Sequence, residues 1–116
     1  MKKVILKNKT LKKVLVNNCY IADNFFSRLK GLLGKNNLNE DEALIIKPCK
    51  SVHMFFMKFS IDVLFVNEND KVIKIIENLR PWQVTKVVKN SKYVVELSKG
   101  KVKKTKTDIG NIISIV

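Results

Sequence analysis

Cysteine is scarce in this 116-residue sequence: Cys19 and Cys49 are the only two, and neither belongs to a C-x-x-C pair. A redox dithiol or a zinc knuckle therefore has no motif behind it. Long apolar runs are missing as well, since no stretch approaches the ~20 residues a membrane-spanning helix needs. The opening MKKVILKNKT has a basic head, but only Val4, Ile5 and Leu6 stand before the next lysine, too short an apolar part for an export signal. The expectation is a cytoplasmic protein with free thiols. Arginine is the third scarcity: 2 residues against 21 lysines, within a formal charge of +13. Nucleic-acid readers lean on arginine for bidentate base contacts and on aromatic rings for stacking. The lysines here are spread along the chain, and their densest cluster, five of the eight positions 99–106, holds no aromatic. A solvated basic surface is the simpler reading, and a lysine-mediated nucleic-acid binder the alternative.

What is present is a globular composition, 46% hydrophobic and 28% charged, without repeats, low-complexity tracts or linkers. One domain spanning residues 1–116 is expected. Lys2–Leu6 and Leu11–Val16 are short β-branched runs that read as a hairpin. Residues 23–34 then switch to helical spacing, with Phe25, Leu29 and Leu32 on one face, Asp23 as cap and Gly34 as terminator. Gly31, inside that helix, costs about 1 kcal/mol relative to alanine and points to close approach of a neighbouring backbone. After a polar loop, strands are expected at 43–47, 51–57, 61–66, 72–77, 92–97 and 111–116, with Asn67-Glu68-Asn69-Asp70 as a hairpin loop. The fold class that follows is mainly β: a compact antiparallel sandwich or barrel-like domain with one α-helix packed on it.

Chemistry-bearing side chains concentrate in residues 48–76. If 51–57 is a regular strand, Cys49, Ser51, His53, Phe55 and Met57 share one side and Val52, Met54 and Phe56 the other. In the next strand Asp62 lies in a row with Leu64 and Val66, where an ionised carboxylate must be paired or strongly hydrogen-bonded. Its candidate partners are Arg28, His53 or free backbone N–H groups. A metal held by Cys49, His53 and Met57 is disfavoured, because Cα atoms four residues apart on a strand are ~13 Å apart. The same distance weighs against a Cys–His nucleophile pair. Trp82, the only tryptophan, follows Pro81 in a loop, where it either plugs the open end of the fold or walls a ligand site. Glu96 points away from Val95 and Leu97, towards solvent or towards Arg28 or Arg80.

Taken in order, Arg28-x-x-Gly31-Leu32-Leu33-Gly34, Pro48-Cys49-x-x-Val52-His53-x-x-Phe56-Met57-x-Phe59-x-Ile61-Asp62-Val63-x-Phe65, Val72-x-x-Ile75, Leu79-x-Pro81, Val95-Glu96-Leu97-x-x-Gly100 and Gly110-Asn111 form a recognisable series. The sequence resembles the bacterial and archaeal family catalogued as domain of unknown function 192, over about residues 20–115. The resemblance implies a mainly β fold with one helix and short accessory turns, and it implies no reaction. Two departures stand out: Phe56 where many relatives have tryptophan, and Gly110-Asn111 where the family closes on Gly-Asp. An asparagine there keeps the turn but not proton-transfer or metal chemistry.

The leading expectation is a small binding or accessory domain, with Arg28, His53, Asp62 and Trp82 as candidate ligand-binding residues beside the helix. No catalytic residue, metal or cofactor is assigned, and no partner follows from the residues. The alternative from another class is a hydrolytic or redox enzyme using His53 with Asp62 or Cys49.

Overall fold

In the computed structural model the backbone of residues 1–116 is described, and every side chain except those of Phe25, Phe26 and Leu29. The elements are β1 (Lys2–Asn8), β2 (Lys13–Ala22), α1 (Phe25–Lys30), β3 (Glu42–Ile46), β4 (Ile61–Val66), β5 (Val72–Leu79), β6 (Tyr93–Ser98), α2 (Lys101–Thr105) and β7 (Ile113–Ile115). All strands belong to one seven-stranded sheet in the order β5-β4-β6-β3-β2-β1-β7. Neighbours are antiparallel except β2 and β3, whose parallel pairing is reached by the crossover through α1. The sheet curls until its edges meet: Lys71 bridges Ile112, and the Val72 N–H donates to the Asn111 carbonyl at 2.9 Å. That contact covers backbone groups an open edge would leave bare. The mainly β, barrel-like class holds.

Curling divides the apolar side chains into two cores. Leu6, Val16, Cys19, Leu64, Val95 and Leu97 fill the inside of the curl, with Val102 of α2 packed into the same cluster. Ile61, Val63, Phe65 and Val94 point outward and are covered by Leu32, Val52, Met54 and Met57. The central strands β4 and β6 are consequently buried on both faces along their full length. This is why IDVLFV and YVVELS read as near-continuous apolar runs rather than alternating ones. Each run carries one carboxylate, and the two lie on opposite faces. Asp62 pairs across the ladder with Leu97, and Glu96 with Val63.

Several local expectations change. Residues 51–57 do not form a strand: they run beside 82–88 with a single bridge, His53 to Val84, and close in a turn where the Met57 N–H donates to the Met54 carbonyl at 3.2 Å. Alternation holds for buried Val52 and Met54 and exposed His53 and Phe55; the turn, with Phe56 at φ 63°, then puts Met57 inside as well. The helix is shorter than 23–34, and its cap is Asn24 rather than Asp23, because the Asn24 side chain accepts from the Ser27 N–H at 2.9 Å in a capping box. The chain leaves the helix at Gly31, whose φ of 48° favours a residue without Cβ; a Cβ would have room there, so conformation and not crowding explains the glycine. The expected apolar stripe of α1 falls partly on Phe25 and Leu29, outside the described side chains. β2 runs on through Asn17 and Asn18 because Asp41 accepts hydrogen bonds from both, so strand pairing outweighs their weak β propensity. Finally, the lysine-rich segment after β6 contains α2, too short for a helical period to show in sequence.

Candidate functional site

Glu96 sits on the outward face of β6, over which α1, the turn 31–33 and segment 48–57 form a lid. Between sheet and lid lies a cavity of about 300 Å³, lined mainly by apolar residues such as Leu32, Ile46, Met54 and Met57, with Arg28, Cys49, His53 and Glu96 among its polar members, beside Lys30 and Ser51. Three chain segments supply them: Arg28 comes from α1, Cys49 and His53 from the segment after β3, and Glu96 from the central strand. Apolar walls with a few polar groups converging from separate elements are the usual make-up of a small-molecule site.

Glu96 is only 5% exposed and, among the described residues, makes no hydrogen bond or ion pair. Burial pushes its carboxyl up to about 7. A buried carboxyl without partners costs free energy unless it stays protonated or something else meets it. Cys49 is half-buried, and its thiol donates to the Ser51 carbonyl at 3.0 Å. Burial is the main reason its pKa is raised; backbone N–H groups at Ser51 and Lys50, which favour the thiolate, oppose the rise, the Glu96 charge adds to it, and Arg28 works against it. Such a thiol is poorly suited to supply a nucleophilic thiolate. His53 is exposed at the rim, its ring 5.0 Å from that of Phe55.

Of the four residues singled out in the sequence, Arg28 and His53 line the cavity, while Asp62 and Trp82 do not. Asp62 points to the inner face. Its Oδ1 accepts from the Asn78 N–H at 2.9 Å, and its Oδ2 accepts from the N–H groups of Gly100 and Val102, both at 3.1 Å. The last two lie at the start of α2, where helical N–H groups lack partners of their own, so the carboxylate fastens α2 and the end of β5 to the inner core. Among the described residues, neither Arg28 nor His53 forms a hydrogen bond or ion pair with it. Trp82 stands in the loop after β5, 59% exposed, with its ring 5.0 Å from Phe56 and 6.0 Å from Phe55. Alternation places Glu96 on the correct strand face, but that face is covered rather than wet. The unbroken apolar run around it is the sequence signal for two-sided burial.

The family model for domain of unknown function 192, described as an uncharacterized ACR, matches residues 5–115. The chain belongs to this family. A UPF0127 protein of Thermococcus sibiricus is 34% identical over 113 residues, covering 94% of this chain and 73% of the relative. A UPF0127 protein of Pyrococcus abyssi is 37% identical over 97 residues, covering 78% of this chain and 80% of that protein. Two solved structures share the fold at 19% identity. One, a Novosphingobium aromaticivorans protein of unknown function, has a TM-score of 0.82 over 97% of this chain and 83% of its own. The other, a putative transcription regulator of Sinorhizobium meliloti, has a TM-score of 0.83 over 97% of this chain and 92% of its own.

In this member of the domain of unknown function 192 family, three of the motif stretches that carried the resemblance, at 28–33, 48–57 and 96, meet at the cavity. The Asp-to-Asn departure is explained locally. Asn111 Oδ1 accepts from Asn8 Nδ2 at 3.0 Å and from the Asp108 N–H at 2.9 Å. Both contacts use an oxygen acceptor, which an aspartate supplies equally well.

Proposed function

We propose that this protein is a binding module whose cavity takes a small molecule with an apolar body and a hydrogen-bond-donating head. The observation that carries this reading is Glu96, a residue only 5% exposed whose carboxyl has no hydrogen-bond or ion-pair partner among the described residues and lines a hollow of about 300 Å³. A ligand hydroxyl or amine would meet it, the apolar body would lie on Leu32, Met54 and Met57, and Arg28 and His53 would close the rim. Buried polar groups in folded proteins nearly always have partners, and a ligand is one way to supply the missing one. The test is calorimetric titration with straight-chain alkylamines and alkanols of four to eight carbons, on the unmodified protein, Glu96→Gln and a cavity-filling Met57→Trp. The expected result is saturable binding that Met57→Trp removes and Glu96→Gln weakens for amines more than for alcohols. Absence of saturable binding by every probe, or binding that ignores both substitutions, would overturn the reading.

Nucleic-acid binding is the second reading, favoured by the charge of +13 and by the likeness in fold to the putative transcription regulator of Sinorhizobium meliloti. It ranks lower because α1 and α2, of six and five residues, are too short to lie along a major groove as a recognition helix does.

A further inference from the structure

Segments 48–54 and 82–88 form a two-stranded ribbon on the surface, joined by Met54 N–H to Gln83 O at 2.8 Å, Trp82 N–H to Met54 O at 2.8 Å and Thr85 N–H to Val52 O at 2.9 Å. Its inner side buries Val52 and Met54 in the outer core. Its outer side is the unusual one. Phe56 is 72% exposed, Val87 71%, Trp82 59%, Val84 58% and Phe55 41%, which puts half of the ten large exposed apolar side chains among the described residues on this one ribbon and its turn. Bridged residues present their side chains to the same face, so Val84 stands beside His53, which stacks on Phe55, which contacts Trp82 and then Phe56. From Val84 to Phe56 the stripe is continuous, and Val87 is exposed three residues beyond Val84 on the same segment. Phe56 and Trp82 are also held at φ 63° and 71°, conformations that bulky residues rarely adopt. Exposed apolar stripes and local backbone strain both cost stability, and both concentrate at functional surfaces.

The charge around the stripe is one-sided. Segments 47–58 and 80–92 contain seven lysines and arginines and no aspartate or glutamate. All seven basic residues are exposed.

We propose that this ribbon is an interfacial docking surface for an anionic lipid bilayer. Tryptophan and phenylalanine settle at the headgroup level, valines reach the first acyl carbons, and a ring of lysines meets the anionic headgroups. Two features favour a bilayer over single-stranded nucleic acid. Val84 and Val87 add aliphatic surface that bases do not stack on, and the aromatic rings pack edge-on or tilted against one another instead of standing free as separate platforms. The surface lies on the lid's outer side and does not depend on the cavity holding a ligand.

Trp82, the sole tryptophan, is the reporter. Full-length protein is titrated with vesicles of phosphatidylcholine alone and with about one-third phosphatidylserine, in low and high salt, following Trp82 emission and its quenching by lipids brominated on the acyl chain. The expected results are a blue shift with anionic vesicles, quenching by brominated chains, weakening as salt rises, and little response to neutral vesicles. The double variant Phe56→Ser, Val87→Ser should bind roughly tenfold more weakly while melting at the same temperature, since neither side chain is buried. The proposal is overturned if anionic vesicles leave the emission unchanged at low salt. It is equally overturned if the double variant binds as well as the parent, which would make the contact purely electrostatic. A third contrary result is Trp82 responding to a single-stranded oligonucleotide and not to vesicles.

Discussion

Replacing Glu96 with glutamine should remove a pH dependence that the parent protein carries. Glutamine keeps the shape of the protonated acid and cannot ionise. In the folded protein burial holds the Glu96 carboxyl at about 7, against an ordinary value near 4.5. The folded state therefore binds this proton more tightly than the unfolded state does. The associated stability is whole below pH ~4.5, is lost as pH rises towards ~7, and is gone above that. Converted at 1.36 kcal/mol per pH unit, the gap is worth about 3 kcal/mol, a large fraction of the stability of a domain this size. The assay is urea denaturation of both proteins in half-unit steps from pH 4 to 8. The difference between them isolates Glu96 from every other titrating group. It should grow in favour of glutamine by about 3 kcal/mol across that window, most of it between pH 5 and 7. Parallel curves over the whole range would rule this linkage out, because they would mean that the carboxyl is hydrated or already paired.

Other consequences can be checked alongside. Asp62→Asn retains one oxygen where three backbone N–H groups are now accepted and turns an amide N–H₂ towards at least one of them; it should cost about 3 kcal/mol in urea denaturation, and a loss below about 0.5 kcal/mol would remove its fastening role. Asn111→Asp should leave stability unchanged whereas Asn111→Ala should lose about 1 kcal/mol; equal losses would show that the acceptor oxygen is not what matters. Both thiols should react slowly with a disulfide reagent at neutral pH, Cys49 sluggishly in the folded state and Cys19, pushed up to about 12 by burial, only on unfolding. Two thiols reacting at the rate of free cysteine would contradict the burial described.

Much of this fold was legible because its strands obey simple alternation at the rim and continuous apolarity at the centre. β4, β6 and the Asn67–Asp70 turn stand where the residues place them, and Arg28 and His53 reach one hollow although 25 positions apart. Less was legible where tertiary pairing decides. Nothing in Ser51–Met57 distinguishes a sheet strand from a surface ribbon with one bridge, since both bury Val52 and Met54. Asp62 and Glu96 look alike in sequence, each a lone carboxylate in an apolar run. Which one finds backbone donors depends on α2, whose five residues carry no readable period, and on β5 ending opposite β4. The carboxylate singled out from sequence is satisfied inside the curl, and the one treated as ordinary faces the cavity.

The most direct test of that assignment is a carbon-13 titration of the Glu96 side-chain carboxyl by NMR in the ligand-free protein. The structure predicts a midpoint near 7, moving once an amine occupies the cavity. A midpoint at the ordinary value near 4.5, indifferent to added amine, would contradict it.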